Sequence, residues 1–133
     1  MLPVVIHTRK RIFRHYTGFS FFIFIWISRL ESNQARLIRH ETIHFYQQLE
    51  LLFIFHWMLY GFFYLISRVK GNRHYISYRY NPFELEAYLN DSNEKYLEER
   101  KAFAWWRHLK KFRESLTKDL SSTIPKTGRL DGE

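Results

Sequence analysis

From Asn33 to Lys70 the chain contains no proline and one glycine, Gly61. Leu37, Ile38, Phe45, Leu49 and Leu52 recur there at helical spacing, and Ser32 or Asn33 supplies an N-cap. Nothing stops the helix before Gly61. An unbroken helix over 33–69 would be ~55 Å long, more than the width of a small domain, so a bend or an overhang is expected. With 133 residues the chain has room for one domain around that element.

The flanking segments complete a mostly helical α+β reading. Residues 1–18 form a basic arm with Arg9, Lys10, Arg11 and Arg14. The run GFSFFIFIWIS then reads as a buried strand over 19–28. It imitates a signal peptide, but RLESNQ follows it in place of a small-residue cleavage site, and it is too short to span a bilayer as a helix. The apolar run Leu51 to Ile66 also falls short of the ~20 residues a spanning helix needs. Flanked by Trp57, Tyr60, Tyr64, Arg68 and Lys70, it reads either as a helix lying in a membrane surface or as a core helix.

The segment KGNRHYISYRYNPF reads as a connector whose alternating piece HYISYRY could add a short strand. Asn81, Pro82 and Glu84 then open a helix carrying ELEAYLND. A third helix is expected from Asn93 to Leu116, acidic early and basic late as the helix dipole favours. The domain spans 19–116, and the polar tail 117–133 is expected to lack structure.

Composition narrows the chemistry. The chain has no cysteine, so a metal would be held by His, Asp or Glu. A net charge of +8 and 20% aromatic residues favour an anionic membrane surface or nucleic acid as partner. No nucleic-acid module is recognisable, so the membrane surface ranks first. The segment AFAWWRHLKKF fits such a surface helix, or a helix whose tryptophans pack on the core.

Within the helical stretch lies RHETIHFYQQ. His40 and His44, at i and i+4, share a helix face and can direct their rings to one point. Glu41 lies ~100° around the helix, beside a metal rather than on it, where it can take a proton from a bound water. A third ligand is needed. The metzincin arrangement would place Gly at 47 and His at 50, but the chain has Gln47 and Glu50. His56 lies in the apolar run, and His74 and His108 have no pattern around them. Glu84 on the later helix is the better source, sharing a face with Ala87 and Tyr88, where a small alanine permits close helix approach. Glu84 also fits a capping-box partner for Asn81, and Glu86, ~200° around the helix, is the alternate ligand.

HETIH followed by ELEAY resembles the gluzincin type of zinc metallopeptidase, H-E-x-x-H with a later E-x-x-A-D, and in size the minigluzincins. The chain is also similar to a group of small bacterial proteins carrying the motif. The resemblance implies a minimal zincin-like domain with a short β element before the motif helix. It implies Zn2+ bound by His40, His44 and Glu84, Glu41 as general base, and a peptide or protein substrate. Tyr88 stands where the family has an aspartate that steadies a ligand histidine, and Asp91, one turn on, is expected to substitute. Gln48, on the ligand face, is expected near the metal ligands or substrate. Strand 19–28 is expected to pair with an extended substrate. Tyr75, Tyr78, His74 and Arg79 are the candidate oxyanion donors. The competing class is a non-catalytic basic membrane-surface or interaction protein with a structural His pair.

Overall fold

The computed structural model describes residues 3–9 and 18–117. Most of the expected basic arm and the tail from residue 118 lie outside the described residues. The fold is α+β and mostly helical. Strands β1 (Val4–Thr8), β2 (Gly18–Phe21) and β3 (Phe24–Ser28) form a sheet of order β1-β3-β2. Within it β1 runs parallel and β2 antiparallel to β3.

The strand expected over 19–28 is therefore a hairpin turned at Phe22 and Ile23. No glycine or asparagine announces that turn. Phe22 adopts a left-handed φ of 53°, unfavourable for a side chain, and its N–H donates to Gln48 Oε1 at 3.0 Å. A long-range hydrogen bond thus supplies what the local sequence lacks. β1 lies within the expected basic arm, recruited by pairing Val4 to Phe24 through Thr8 to Ser28.

Helix α1 (Gln34–Glu50) starts where expected, with Asn33 Oδ1 accepting the Arg36 N–H at 3.0 Å. It ends at Leu51, and α2 (Ile54–Val69) departs at 112°. The expected bend is thus present, but well before Gly61, which sits exposed inside α2. Leu52 and Phe53 make the corner with left-handed φ values of 53° and 59°, at about 1–2 kcal/mol each. The Phe53 N–H bonded to the Gln48 carbonyl at 2.7 Å and the Phe53 ring 5.1 Å from Phe22 offset that cost.

HYISYRY is not a strand but helix α3 (His74–Arg79). Its buried residues Ile76, Ser77 and Tyr78 are consecutive, which a half-buried strand's alternation does not allow. Helix α4 (Pro82–Asn90) follows, capped by Asn81 with Pro82 in its first turn.

The single helix expected over 93–116 is broken into α5 (Tyr96–Glu99), a 3-10 turn (Ala104–His108) and α6 (Leu109–Ser115). The cause is Arg100, drawn inward to Glu50 and Glu86. The Phe103 N–H also donates to Glu50 Oε2 at 2.8 Å, and Phe103 turns left-handed. Arg100→Ala would leave the buried Glu86 carboxylate and the half-buried Glu50 carboxylate without their cation. It is expected to destabilise the fold by about 3–5 kcal/mol in denaturant unfolding.

Two cores flank α1. Ile25, Ile27, Leu37 and Phe45 join sheet to helix. On the other side Phe83 is fully buried among His56 (4.5 Å), Trp105 (4.8 Å) and Phe63 (6.1 Å). Of the segment AFAWWRHLKKF, read either as a surface helix or as one packing its tryptophans on the core, Ala104, Trp105 and Phe112 are core, while Trp106 is exposed.

Candidate metal centre

α1 and α4 pack side by side and bring three side chains to one point. Ligand atoms of His40, His44 and Glu84 all lie within 4.8 Å of one another, and all three residues are buried. Glu84 Oε2 is 3.4 Å from His40 Nε2 and 3.2 Å from His44 Nε2. Two ligands of a tetrahedral ion with bonds of ~2.0–2.1 Å stand ~3.3 Å apart, which both Glu84–imidazole separations match. The three residues are placed to bind a metal ion. Ala87, on the same side of α4 as Glu84, is fully buried where α4 meets its neighbours.

Each imidazole is held from behind. His40 Nδ1 lies 2.9 Å from Asp91 Oδ2. An ionised carboxylate only accepts, so Nδ1 carries the proton and Nε2 faces Glu84. Asp91 is in turn bound by Arg36 Nε at 3.2 Å. The expected substitute for the missing aspartate is thus in contact with His40. Tyr88 instead packs edge-on against the His40 ring at 4.5 Å, with Arg79 over its own ring at 4.1 Å. Asp91→Asn keeps the shape but removes the charge that holds His40. It is expected to weaken metal binding about 10–100-fold in competition titrations with a chelating dye.

His44 is held by a relay that the sequence did not disclose. Its Nδ1–H donates to Gln47 Oε1 at 2.8 Å, while Gln47 Nε2 donates to Glu86 Oε2 at 2.8 Å and to the Phe83 carbonyl at 3.0 Å. Glu86 receives Arg100 Nε at 2.5 Å and the Tyr96 hydroxyl at 2.9 Å. As the alternate ligand, Glu86 is therefore corrected: its carboxylate points away from the histidines, is neutralised by Arg100, and orients His44 through Gln47. Glu84 is no capping-box partner either. Its Oε1 accepts from the Tyr60 hydroxyl at 2.9 Å and its Oε2 faces both imidazoles. Tyr60 was hidden in an apolar run, and only the α2 bend brings it here.

The electrostatics follow from this packing. Burial alone would lower His44, but the charge and hydrogen bond of Glu84 outweigh it and push it up to about 9. His40 is likewise raised, burial being overcome by its bonds to Asp91 and Glu84. Burial would raise Glu84, yet the His44 charge and the imidazole bonds hold it well below the usual carboxylate range. Glu41 goes the other way: burial raises its carboxyl, only partly opposed by His40 and His44.

Glu41 lines a cleft of about 340 Å³ together with His44, Glu84, Gly18, His56 and Tyr60. Gly18 lies close against this carboxylate: a Cβ there would meet Glu41 Oε1 at 2.6 Å and Leu37 Cδ1 at 2.8 Å, so those side-chain ends would have to shift. His56, set aside in the sequence, forms part of the wall. Burial lowers it to about 3, so it is neutral, and its ring nitrogens have no hydrogen-bond partner among the described residues.

Gln48 reaches the cleft but serves the hairpin: its Nε2 donates to Ser20 Oγ at 3.0 Å and to the Ser20 carbonyl at 3.3 Å. This side of β2 is thereby satisfied internally at Ser20 and Phe22, which disfavours substrate pairing there. Of the candidate oxyanion donors, His74 and Tyr78 line the cleft. His74 Nδ1 lies 2.9 Å from the Tyr64 hydroxyl, and the Tyr78 hydroxyl lies 3.2 Å from that of Tyr88. Tyr75 and Arg79 do not line it. Set against family profiles, curated proteins and solved structures, the chain matches none.

Proposed function

We propose that this protein is a small zinc-dependent metallopeptidase-like hydrolase. The observation that carries the reading is the convergence of three buried ligand atoms within 4.8 Å, with Glu41 buried beside them on the same cleft. His40, His44 and Glu84 would hold the ion. Zinc bound there would act as a Lewis acid on a scissile carbonyl and acidify a water. Glu41 takes the water's proton as the oxygen attacks the carbonyl carbon, then delivers it to the leaving amine as the C–N bond breaks. Its raised pKa suits that exchange. Tyr60 holds the remaining Glu84 oxygen, and the neutral His56 ring forms part of the cleft wall.

A second reading is favoured by one observation: the imidazoles also satisfy each other's surroundings without an ion, through Asp91, Gln47 and Glu84. On that reading the pair is structural, and the chain is a basic membrane-surface or interaction protein. Elemental analysis of the purified full chain separates the two. One zinc per chain, lost in His40→Ala, together with chelator-sensitive cleavage of quenched fluorogenic peptides, supports the hydrolase. A metal-free protein that binds no added zinc overturns it.

A further inference from the structure

The outer side of α2 presents Phe55, Met58, Phe62, Leu65 and Val69, spaced three and four residues apart and all more than half exposed. This is one helical stripe. At its start it joins the hairpin tip: Phe22 touches Phe53 at 5.1 Å, and Phe21 touches Trp57 at 5.7 Å. Phe21, Phe22, Ile23 and Phe24 are themselves exposed. A continuous apolar surface therefore runs from the hairpin tip along α2, on a chain whose sheet and helix cores are already filled.

At the far end of the stripe stand exposed Arg68, Lys70 and Arg73. No Asp or Glu occurs among residues 1–30 or 51–83, so neither the hairpin nor α2 offers a carboxylate to those cations. A second copy docking through this face would bring cations without anions. The chain's own residues outside those described, 1–2, 10–17 and 118–133, carry their apolar side chains singly or in pairs among charged and polar neighbours, which does not complement an apolar stripe of this length, and 10–17 adds further cations. Anionic headgroups above an acyl layer match both parts.

No single helix among the described residues is long and apolar enough to cross a membrane. The bent pair α1–α2 would have to bury the polar metal centre on α1, so the fit is to a surface and not to a span.

We propose that the hairpin tip and the outer face of α2 seat the protein in the surface of a bilayer containing anionic lipid. Gly61 is exposed at the edge of that face and also lines the cleft, so the cleft opens beside the membrane. The seat does not depend on the hydrolase reading. If that reading also holds, the substrate is a polypeptide segment lying at the same surface.

The test is co-sedimentation of the full chain with phosphatidylcholine vesicles, with and without phosphatidylserine. Binding is expected to be strongest with phosphatidylserine and to fall with salt. Phe55→Asp and Phe62→Asp are each expected to lower partitioning about tenfold, while zinc stoichiometry and far-ultraviolet circular dichroism stay unchanged. Charge reversal at Arg68, Lys70 and Arg73 is expected to weaken binding only to vesicles with phosphatidylserine. Vesicle binding that is absent, or untouched by these folded variants, overturns the proposal. So does a dimer that the Asp variants convert to monomer without any vesicle binding. A chain that binds vesicles but no zinc overturns the hydrolase reading and leaves the seat standing.

Discussion

Glu41→Gln is expected to keep its zinc and lose peptide cleavage by about 10²–10⁴-fold, the range a positioned general base contributes. The geometry separates the two properties. Glu41 follows the first ligand directly, so the turn of α1 carries its carboxylate away from the converging imidazoles and toward Gly18 and the cleft. A glutamine occupies the same volume there but cannot accept a proton. The variant is also expected to melt no lower than wild type. Burial raises the Glu41 carboxyl, so its ionised form costs the fold stability that a neutral amide restores. Elemental analysis, kcat/KM and thermal unfolding on one preparation test all three statements. Full activity in the variant would remove Glu41 from the chemistry.

Glu84→Gln is expected to abolish tight metal binding. Sharing the ~10–16 kcal/mol of a structural zinc site among four ligands gives about 3 kcal/mol each, a loss of ~100-fold or more. The same carboxylate makes the metal-free protein pH-dependent. His44 is raised from its ordinary value to about 9 by Glu84. Its pairing therefore stabilises the metal-free fold fully below pH ~6.5 and loses that contribution as pH rises through about 9. Glu84, held low, contributes above the ordinary carboxylate range and loses its contribution only as pH falls through its own depressed value. Zinc competes with the protons on His40 and His44, so apparent affinity is expected to climb toward pH 9 with protons released on binding. Calorimetric titration in buffers of different ionisation heat reads that release. Thermal melts should show the alkaline loss of stability in metal-free protein and its absence once zinc is bound. A metal-free melting temperature unchanged between pH 6 and 9 would contradict the pairing of His44 with Glu84.

Much of the centre was legible because it is local. His40, Glu41 and His44 need only helical periodicity, and Asn81 with Pro82 marks the start of α4 by its own side chains. Asp91 was reachable too, one turn beyond Tyr88. The relay through Gln47, Glu86 and Arg100 was not. Its members come from α1, α4 and the break after α5, and each alone reads as an ordinary surface residue. A glutamate facing away from a metal looks the same in sequence whether solvent or a buried guanidinium neutralises it.

The corners were equally hidden. Phe22, Leu52 and Phe53 turn the chain in left-handed conformations that local preference opposes. Phe22 and Phe53 are held by Gln48, whose amide oxygen and backbone carbonyl reach the hairpin and the α2 corner respectively. Likewise HYISYRY alternates like a strand, yet three consecutive buried residues make it a helix.

What the amino-acid sequence determined by itself is the helical stretch, the cationic and aromatic character, and the spacing that lets two imidazoles and one carboxylate act on a single point. Those properties depend on the neighbours of each residue along the chain. The tertiary structure alone decided where α1 ends, which glutamate faces the histidines, and which apolar face stays uncovered. These depend on groups far apart in sequence that meet only when burial and long-range hydrogen bonds outweigh local preference.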